Sequence, residues 1–346
     1  MTAHRPRIDY FAMGGTIASV RSALHEAGAV PTLGAAGIAA AVPGLDQVAQ
    51  VHPHDVLLVP STEITVTDLL TLVEQARAAV DAGARGVVVS QGTDTIEETA
   101  FVLDLLWDRP EPLVVTGAMR NPSLAGADGA ANVLAAVQVA SCDAAREAGV
   151  LVTLNDEIHA ARHVHKSHTS SLSTFVSPGL GPIGWVSEGN PVIALRPTRR
   201  TCLTVPKGAK LPSVALVKLG LADDCRLLGA VASLGYDAVV IEALGGGHVP
   251  VAGVPIVAEL AATMPVVLAS RTGAGEVLGS TYRFPGSEID LLERGALRAG
   301  ALDGPKARLL LTLALAADPS GEGLTDLFAR VGTTTTPVRR PGARRD

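Results

Sequence analysis

The first half of the chain alternates short apolar runs with longer segments in which apolar residues recur every three or four places. Short runs rich in β-branched residues predict buried strands, and the wider spacing predicts amphipathic helices. Strands are predicted at the beginning of two segments, residues 8–18 and 87–100. Further strands are predicted at residues 55–61, 113–116 and 149–155. Because strands and helices alternate, the pattern predicts a mostly parallel sheet with flanking helices.

The same alternation begins again at residue 213, after a segment rich in proline and arginine. It predicts strands at residues 214–219, 238–244 and 265–270, and helices at residues 224–235, 255–264 and 305–317, of which the helix at 305–317 is predicted to be the last in the chain. A chain of 346 residues exceeds what one hydrophobic core usually organises. We therefore predict a two-domain α/β protein with a larger N-terminal domain (residues 1–190), a linker (191–212), a smaller parallel-sheet C-terminal domain (213–332) and a loose tail (333–346).

Two predicted strands end in glycine followed by polar side chains. Residues 8–18 place Thr16 after a glycine pair, and residues 87–100 place Thr93 and Asp94 after a single glycine. Glycine allows a ligand to approach the main chain closely. In open α/β sheets ligands bind at the carboxyl ends of strands, so both motifs are expected to line one crevice.

Hydroxyl residues predict where two helices begin. Thr95, followed three places later by Glu98, has the pattern of a capping box and predicts a helix that begins near Ile96. Thr67 is predicted to cap the preceding helix. Ser61 follows the strand at residues 55–61 and adds a third polar residue at a strand end.

These motifs make the chain resemble the bacterial-type asparaginase/glutaminase family, in which a threonine is the nucleophile. The resemblance rests on Met-Gly-Gly-Thr-Ile-Ala at residues 13–18, Gln-Gly-Thr-Asp-Thr-Ile-Glu-Glu-Thr-Ala at 91–100, Gly-Ala-Met-Arg at 117–120, Ala-Asp-Gly at 127–129, and Lys166 after Leu-Asn-Asp. Several matches in the family's order are far more specific than one short motif. Weaker similarity continues over nearly the whole chain.

The resemblance implies an L-asparagine amidohydrolase without a cofactor, which releases L-aspartate and ammonia through a threonine acyl-enzyme and acts more weakly on L-glutamine. The implied catalytic residues are Thr16, Thr93, Asp94 and Lys166. The implied substrate-binding residues are Thr93 and Asp94 again, with Gly15, Ser61, Thr62, Gly92, Ala118 and His248. A hydroxyl nucleophile needs a base, and a desolvated lysine can serve as one. Which threonine attacks first stays open.

Residues 19–37 are predicted to form a loop long enough to cover a bound substrate. In the family this loop carries a tyrosine that hydrogen-bonds the nucleophile, but residues 19–40 contain no tyrosine. Polar residues of the loop that could take its place are Arg21, His25 and Glu26. The resemblance therefore leaves one contact of the nucleophile unassigned.

Two further positions depart from the family pattern. Thr62 stands where the family commonly has a glutamine that contacts substrate. His248 stands where an asparagine commonly reaches the site of a neighbouring subunit, and Glu276 or Glu288 is the candidate for the acidic residue of that region. The resemblance thus implies a homo-oligomer, either a dimer or a tetramer.

Composition excludes several other classes of protein. Aromatic residues make up only 3% of the chain and the net charge is −6, so neither stacking platforms nor a basic surface for nucleic acid is expected. No apolar run reaches the ~18 residues that a membrane span needs, and the start does not resemble a signal peptide, so a cytoplasmic protein is expected. Three irregularly spaced cysteines do not indicate a disulfide framework.

Histidines are concentrated within residues 159–168, and His159 and His163 would share one face of a helix there. Such spacing can indicate zinc, but the cluster lacks a clear carboxylate ligand nearby other than Asp156 or Glu157, and Lys166 is better used in amide hydrolysis, so we predict no metal. The Gly-Gly-Gly-His segment at residues 245–248 lacks the spacing of a dinucleotide-binding loop.

Two alternative functions remain. A binding protein or a weakened homologue would keep the pocket but lose the contacts of the loop tyrosine and of the residues replaced by Thr62 and His248. The amidase subunit of an aminoacyl-tRNA amidotransferase has a similar catalytic domain, although the expected basic surface is absent. Ammonia release from asparagine would distinguish hydrolysis from binding.

Overall fold

The chain divides into two compact units, Met1–Pro197 and Thr198–Asp346. The structure is a computed structural model that describes residues 5–21, 29–31, 33–197 and 201–333. His25 and Glu26 of the predicted loop, and all of the predicted tail except Thr333, lie outside the described residues. Each unit has its own sheet and its own hydrophobic core.

The first unit is an α/β structure. Its strands are β1 (Arg7–Gly14), β2 (Ser19–Arg21), β3 (Ala29–Pro31), β4 (Gln50–Val59), β5 (Gly86–Ser90), β6 (Leu113–Thr116), β7 (Val150–Leu154), β8 (Glu157–Ala160), β9 (His165–Lys166), β10 (Phe175–Val176), β11 (Gly184–Ser187) and β12 (Asn190–Ile193). Its helices are α1 (Ala35–Ala40), α2 (Leu45–Val48), α3 (Val66–Asp81), α4 (Ile96–Leu106) and α5 (Gly129–Ser141).

Eight of these strands form one sheet in the order β12-β11-β8-β7-β6-β5-β1-β4. The neighbouring strands β4, β1, β5, β6 and β7 are parallel. The remaining pairs, β7 with β8, β8 with β11 and β11 with β12, are antiparallel. The central strands β5, β6 and β7 are fully buried, as helices on both faces of a parallel sheet require. Pro53 in β4 is tolerated because β4 is an edge strand. The predicted α/β class and mostly parallel sheet are confirmed.

The strand order changes direction at β1. After β1 the chain forms β4 on one side of β1 and then β5 on its other side. The connections that follow β1 and β5 therefore run in opposite directions, which leaves a crevice at the carboxyl ends of these two strands. The register aligns these ends, since Ala12 is opposite Ser90 and Ser90 is opposite Thr116. Residues that follow β1, β5 and β6 therefore meet at one edge of the sheet.

Several element boundaries differ from the prediction. Helix α3 begins at Val66 and is capped by Thr65, which forms a capping box with Asp68. The cap therefore lies two residues before the predicted cap Thr67. The strand predicted at residues 55–61 begins earlier, at Gln50. The predicted loop at residues 19–37 contains the antiparallel pair β2 and β3 and the start of α1. Local hydrogen bonding decides such boundaries, and apolar spacing does not report it.

The second unit has a smaller parallel sheet in the order β13-β14-β15-β16. Its strands are β13 (Val214–Lys218), β14 (Ala238–Ala243), β15 (Val266–Ser270) and β16 (Leu297–Arg298), and its helices are α6 (Arg226–Ala230), α7 (Val254–Ala261), α8 (Glu288–Glu293), α9 (Gly304–Ala317) and α10 (Leu324–Val331). The helix predicted at residues 305–317 is not the last, because α10 follows it. None of the described helices is both long and apolar enough to cross a bilayer.

Asp9 is a fully buried carboxylate near the start of β1. Arg7 donates to it at 2.8 and 3.0 Å, and Nε2 of His54 on β4 lies 2.7 Å from Oδ1. Burial alone would raise the pKa of Asp9, but the hydrogen bonds from Arg7 and His54 hold that pKa below its ordinary value. A carboxyl group whose pKa is lowered by folding stabilises the protein above its unfolded pKa, and this stabilisation is lost as the pH falls through the folded pKa.

Asp9→Asn is expected to lower the free energy of unfolding at pH 7 by about 2 kcal/mol, because it removes charge-assisted hydrogen bonds. The difference from wild type should shrink below pH ~4, where the unfolded carboxyl group takes up its proton. Denaturant unfolding at pH 7 and at pH ~3.5 measures both differences. The exposed Asp46, as Asp46→Asn, is the control, and an equal loss for Asp9→Asn at both pH values would contradict this account.

Candidate active site

Three strands end at the crevice edge in the same way. β1, β4 and β5 each lead into a short 3-10 turn, and the first residue of each turn is a predicted site hydroxyl: Thr16, Ser61 and Thr93 respectively. Thr16 is partly buried, whereas Ser61 and Thr93 are buried. The fold therefore presents all three hydroxyl residues at the carboxyl ends of adjacent strands.

Glycines let the three turns approach one another. Gly15 has φ +84°, and a Cβ atom built there would lie 2.1 Å from the Gly92 main-chain nitrogen. A Cβ atom at Gly92 would lie 2.8 Å from Ser61 Oγ, and one at Gly117 would lie 3.2 Å from Thr93 Cγ2. Any side chain at Gly15 or Gly92 would separate the turns, so the glycines of both motifs are required by packing.

Thr95 connects two of the turns. Its hydroxyl donates to the Ser61 carbonyl at 3.1 Å and accepts from Nε2 of the buried Gln91 at 3.1 Å. Helix α4 begins at Ile96 as predicted, but Thr95 makes no side-chain capping hydrogen bond. The predicted capping box with Glu98 is therefore wrong, because the Thr95 hydroxyl is used to hold the Ser61 turn.

A carboxylate holds the loop that contains Ala118. Asp128 accepts hydrogen bonds from the two main-chain N–H groups that follow Ala118, at 3.0 and 2.8 Å. Asn132 donates to the Gly117 carbonyl at 2.9 Å and to Asp128 at 2.9 Å. These contacts fix the main chain beside Ala118, which is itself fully buried. Asn132 was not identified from the sequence, although it lies three residues after the Ala-Asp-Gly motif.

Lys166 reaches the Thr93 turn from the small antiparallel pair of β9 and β10. Its Nζ donates to Thr93 Oγ1 at 2.9 Å and to Asp94 Oδ1 at 2.6 Å. Only 12% of the Lys166 side chain is exposed, whereas 68% of the Asp94 side chain is. The structure thus brings together the predicted hydroxyl, lysine and carboxylate, with the carboxylate open to solvent on one side.

The clustered histidines have separate partners. The segment is not helical at His159, which lies on β8, so the predicted shared helix face with His163 is wrong. His159 is fully buried, its Nδ1 lies 2.9 Å from Ser177 Oγ, and burial lowers its pKa. His165 Nδ1 lies 2.7 Å from Glu97 Oε2, and His168 Nδ1 accepts from main-chain N–H groups of its own loop. The ring nitrogens named here are therefore directed at different groups.

The first unit has a single tyrosine, Tyr10, and it lies in the sheet. Its hydroxyl is 2.6 Å from Ser90 Oγ, and burial raises its pKa. It is fully buried, so it cannot act as a mobile loop residue. The other predicted departure in this unit, Thr62, is exposed on the Ser61 turn.

His248 lies in the second unit beside a buried carboxylate. Its Nε2 is 3.1 Å from Oε2 of Glu288, and its ring contacts the edges of Tyr282 and Phe284. Burial would raise the pKa of Glu288, but main-chain N–H groups and His248 hold it below its ordinary value. Of the two acidic candidates, Glu276 is exposed and Glu288 contacts His248.

The fold and the first-unit site define a class of protein: a two-domain α/β protein in which hydroxyl, lysine and carboxylate side chains meet at the switch point of a mostly parallel sheet. The N-terminal asparaginase family model matches residues 7–199, and the model of the glutaminase/asparaginase C-terminal domain matches residues 213–328. The chain belongs to the bacterial-type asparaginase family.

Individual relatives agree with this membership. The chain is 33% identical to an L-asparaginase of Bacillus licheniformis over 91% of this chain and 96% of the relative. It is 36% identical to a probable L-asparaginase of Deinococcus radiodurans over 95% and 99% of the two chains. The crystal structure of a probable cytoplasmic L-asparaginase from Campylobacter jejuni superposes with a TM-score of 0.85 at 28% identity, covering 94% of this chain and 99% of that one.

Gly15→Ala is expected to destabilise the first unit, because its Cβ atom would overlap the Gly92 main chain. Gly44→Ala is the matched control, since Gly44 also has a positive φ (+76°) but nothing within 4 Å of its Cβ position. Backbone strain alone should lower the melting temperature of Gly44→Ala by roughly 2–4 °C, and Gly15→Ala should lose at least about twice as much. Equal losses in differential scanning calorimetry would show that the Gly15–Gly92 approach is not tight.

Proposed function

We propose that the protein is an L-asparagine amidohydrolase that releases L-aspartate and ammonia, with minor activity on L-glutamine. The observation that carries the proposal is the contact of Lys166 Nζ with both Thr93 Oγ1 and Asp94 Oδ1, next to the turn that begins at Thr16. Relatives that bear the name L-asparaginase support the substrate, and the glutaminase/asparaginase description of the C-terminal family model supports the second activity.

The reaction uses the side chains at the crevice edge in separate roles. Thr16 attacks the carbonyl carbon of the side-chain amide, its proton passes to the leaving nitrogen, and ammonia departs from an acyl-enzyme. Thr93, Lys166 and Asp94 then activate the water that hydrolyses the ester. Main-chain N–H groups beside the glycines stabilise the oxyanion in both steps.

Each polar group of the substrate is assigned to a group of the site that is available to bind it. Asp94 holds Lys166 through Oδ1 and is largely exposed, so its other oxygen is available to the α-ammonium group of asparagine. Ser61, packed against Gly92, takes the α-carboxylate, with Thr62 beside it. The main chain next to Ala118 receives the side-chain amide. An ammonium and a carboxylate three bonds from the amide select an amino acid over a simple amide.

Thr16→Ala is expected to lower kcat for asparagine at least about a hundredfold while leaving the melting temperature unchanged, because the side chain is only partly buried and acts in catalysis. Thr71→Ala, at an exposed position in α3, is the control. Ammonia release and calorimetric binding of asparagine measure turnover and affinity separately. Full activity of Thr16→Ala would overturn the choice of nucleophile, and binding without turnover by wild type would favour the weakened homologue, which the missing loop tyrosine suggests.

We also propose a homo-oligomer, a dimer or a tetramer, in which His248 and the buried Glu288 complete the site of a neighbouring subunit.

A small-molecule substrate is the proposed partner, without nucleic acid or membrane. A cytoplasmic location is proposed, and it is supported by the name of the Campylobacter jejuni protein.

Mixing one variant of impaired affinity with one inactive variant tests the shared site. His248→Ala should raise KM for asparagine, and Thr16→Ala should abolish turnover. When the two are unfolded together and refolded, hybrid oligomers contain some sites with Thr16 from one chain and His248 from another, so activity should exceed the sum of the separate variants. Activity equal to that sum, or an active monomer by light scattering, would contradict the shared site. Leu227→Ala, at an exposed position of the same unit, is the control for His248→Ala.

A further inference from the structure

We propose that Glu97, acting with His165, is a positioning residue that fixes the main chain of Lys166 and so keeps Nζ on Thr93 and Asp94. The inference rests on the proposed function for the role of Lys166. In the sequence, Glu97 belongs to the motif at residues 91–100 and His165 to the histidine cluster at residues 159–168, and neither position indicates a role. Their contacts give both a defined task.

One oxygen of Glu97 holds two groups of β9. Glu97 Oε2 lies 2.7 Å from His165 Nδ1 and accepts from the Lys166 main-chain N–H at 3.2 Å. A carboxylate oxygen accepts hydrogen bonds, so Nδ1 of His165 carries the proton. Only 15% of the Glu97 side chain is exposed, so water competes weakly for these contacts.

The same short segment therefore holds Lys166 at both ends. Thr93 and Asp94 bind its ammonium group, and Glu97 binds its main-chain nitrogen. A lysine stem has several rotatable bonds, and a moving main chain would displace Nζ even when its partners stay in place. The distance between Lys166 Nζ and Thr93 Oγ1 stays constant only if the main chain of Lys166 is fixed relative to Thr93.

The strand that carries Lys166 needs such an anchor. β9 and β10 are two residues each, and their two-stranded pairing is separate from the eight-stranded sheet. Two-stranded ribbons have little stability of their own. Glu97, in contrast, stands in the first turn of α4, where a carboxylate is favoured by the helix dipole and where the helix is packed in the core. Glu97 thus attaches a weak ribbon to a rigid element.

Steady-state kinetics with asparagine test this role on the full-length protein. Glu97→Ala should lower kcat by tenfold or more, since a displacement of about 1 Å at a catalytic group can cost on the order of a hundredfold, while KM changes by less than about threefold. Glu97→Gln keeps an acceptor oxygen and should recover most of kcat. His165→Asn keeps a donor near the position of Nδ1 and should retain more activity than His165→Ala.

The combination with Lys166→Met separates positioning from a general structural effect. If Glu97 acts through Lys166, then adding Glu97→Ala to Lys166→Met should produce no further loss of kcat beyond about threefold. His54→Ala is the matched control, because it removes a histidine–carboxylate contact of the same 2.7 Å length between β4 and β1, and it should leave kcat unchanged.

The outcomes distinguish this inference from the proposed function. Full activity of Lys166→Met would overturn the use of the lysine in the proposed reaction. An inactive Lys166→Met together with an unaffected Glu97→Ala would overturn the positioning role alone, as would multiplicative losses in the double variant. If Glu97→Ala does not fold, as judged by its melting curve, the pair His165→Ala and His165→Asn decides, and equal kcat values for the two would overturn the role of His165 Nδ1.

Discussion

The candidate site depends on the close approach of two main-chain segments at Gly15 and Gly92. These glycines follow β1 and β5, the neighbouring strands at which the sheet changes its order. With 2.1 Å between a Cβ position at Gly15 and the Gly92 nitrogen, no other residue type fits without moving one of the turns. Thr16 and Thr93 each follow directly after one of these glycines. The approach of the glycines therefore sets the separation of the two hydroxyl groups.

A second group of contacts places charge beside those hydroxyls. The turn after β5 continues without interruption into α4, so residues 93–97 combine the two side chains that bind Lys166 Nζ with the Glu97 anchor. Lys166 comes from far along the chain and is joined to this segment at its main-chain nitrogen and at Nζ. The segment thus acts as one template, and its rigidity comes from the buried face of α4.

Sequence patterns predicted the parts of this arrangement that depend on local periodicity or on family motifs. They predicted the α/β class and the start of α4 near Ile96, and they named residues that are in contact in the structure, such as Thr93 with Lys166 and Gly15 with Gly92. They did not predict that Thr95 binds the Ser61 carbonyl or that Glu97 binds the main chain of Lys166. A hydroxyl before a helix is ordinarily explained as a cap, and a carboxylate in the first turn is ordinarily explained by the helix dipole. Glu97 contacts a residue 69 positions away, and such a pairing leaves no local signal.

The departures from the family pattern in the first unit concern side chains rather than the main chain. The base of the site is held by main-chain groups and by small residues, as at Gly15 and in the loop beside Ala118, and main-chain contacts survive changes of side chain. Thr62, in contrast, is exposed on the Ser61 turn, so packing does not constrain its side chain. Tyr10 cannot replace the loop tyrosine, because its hydroxyl is buried against Ser90. The proposed catalytic groups can therefore be retained while an exposed side chain such as Thr62 changes, and such a change would alter substrate preference rather than the proposed bond-breaking chemistry.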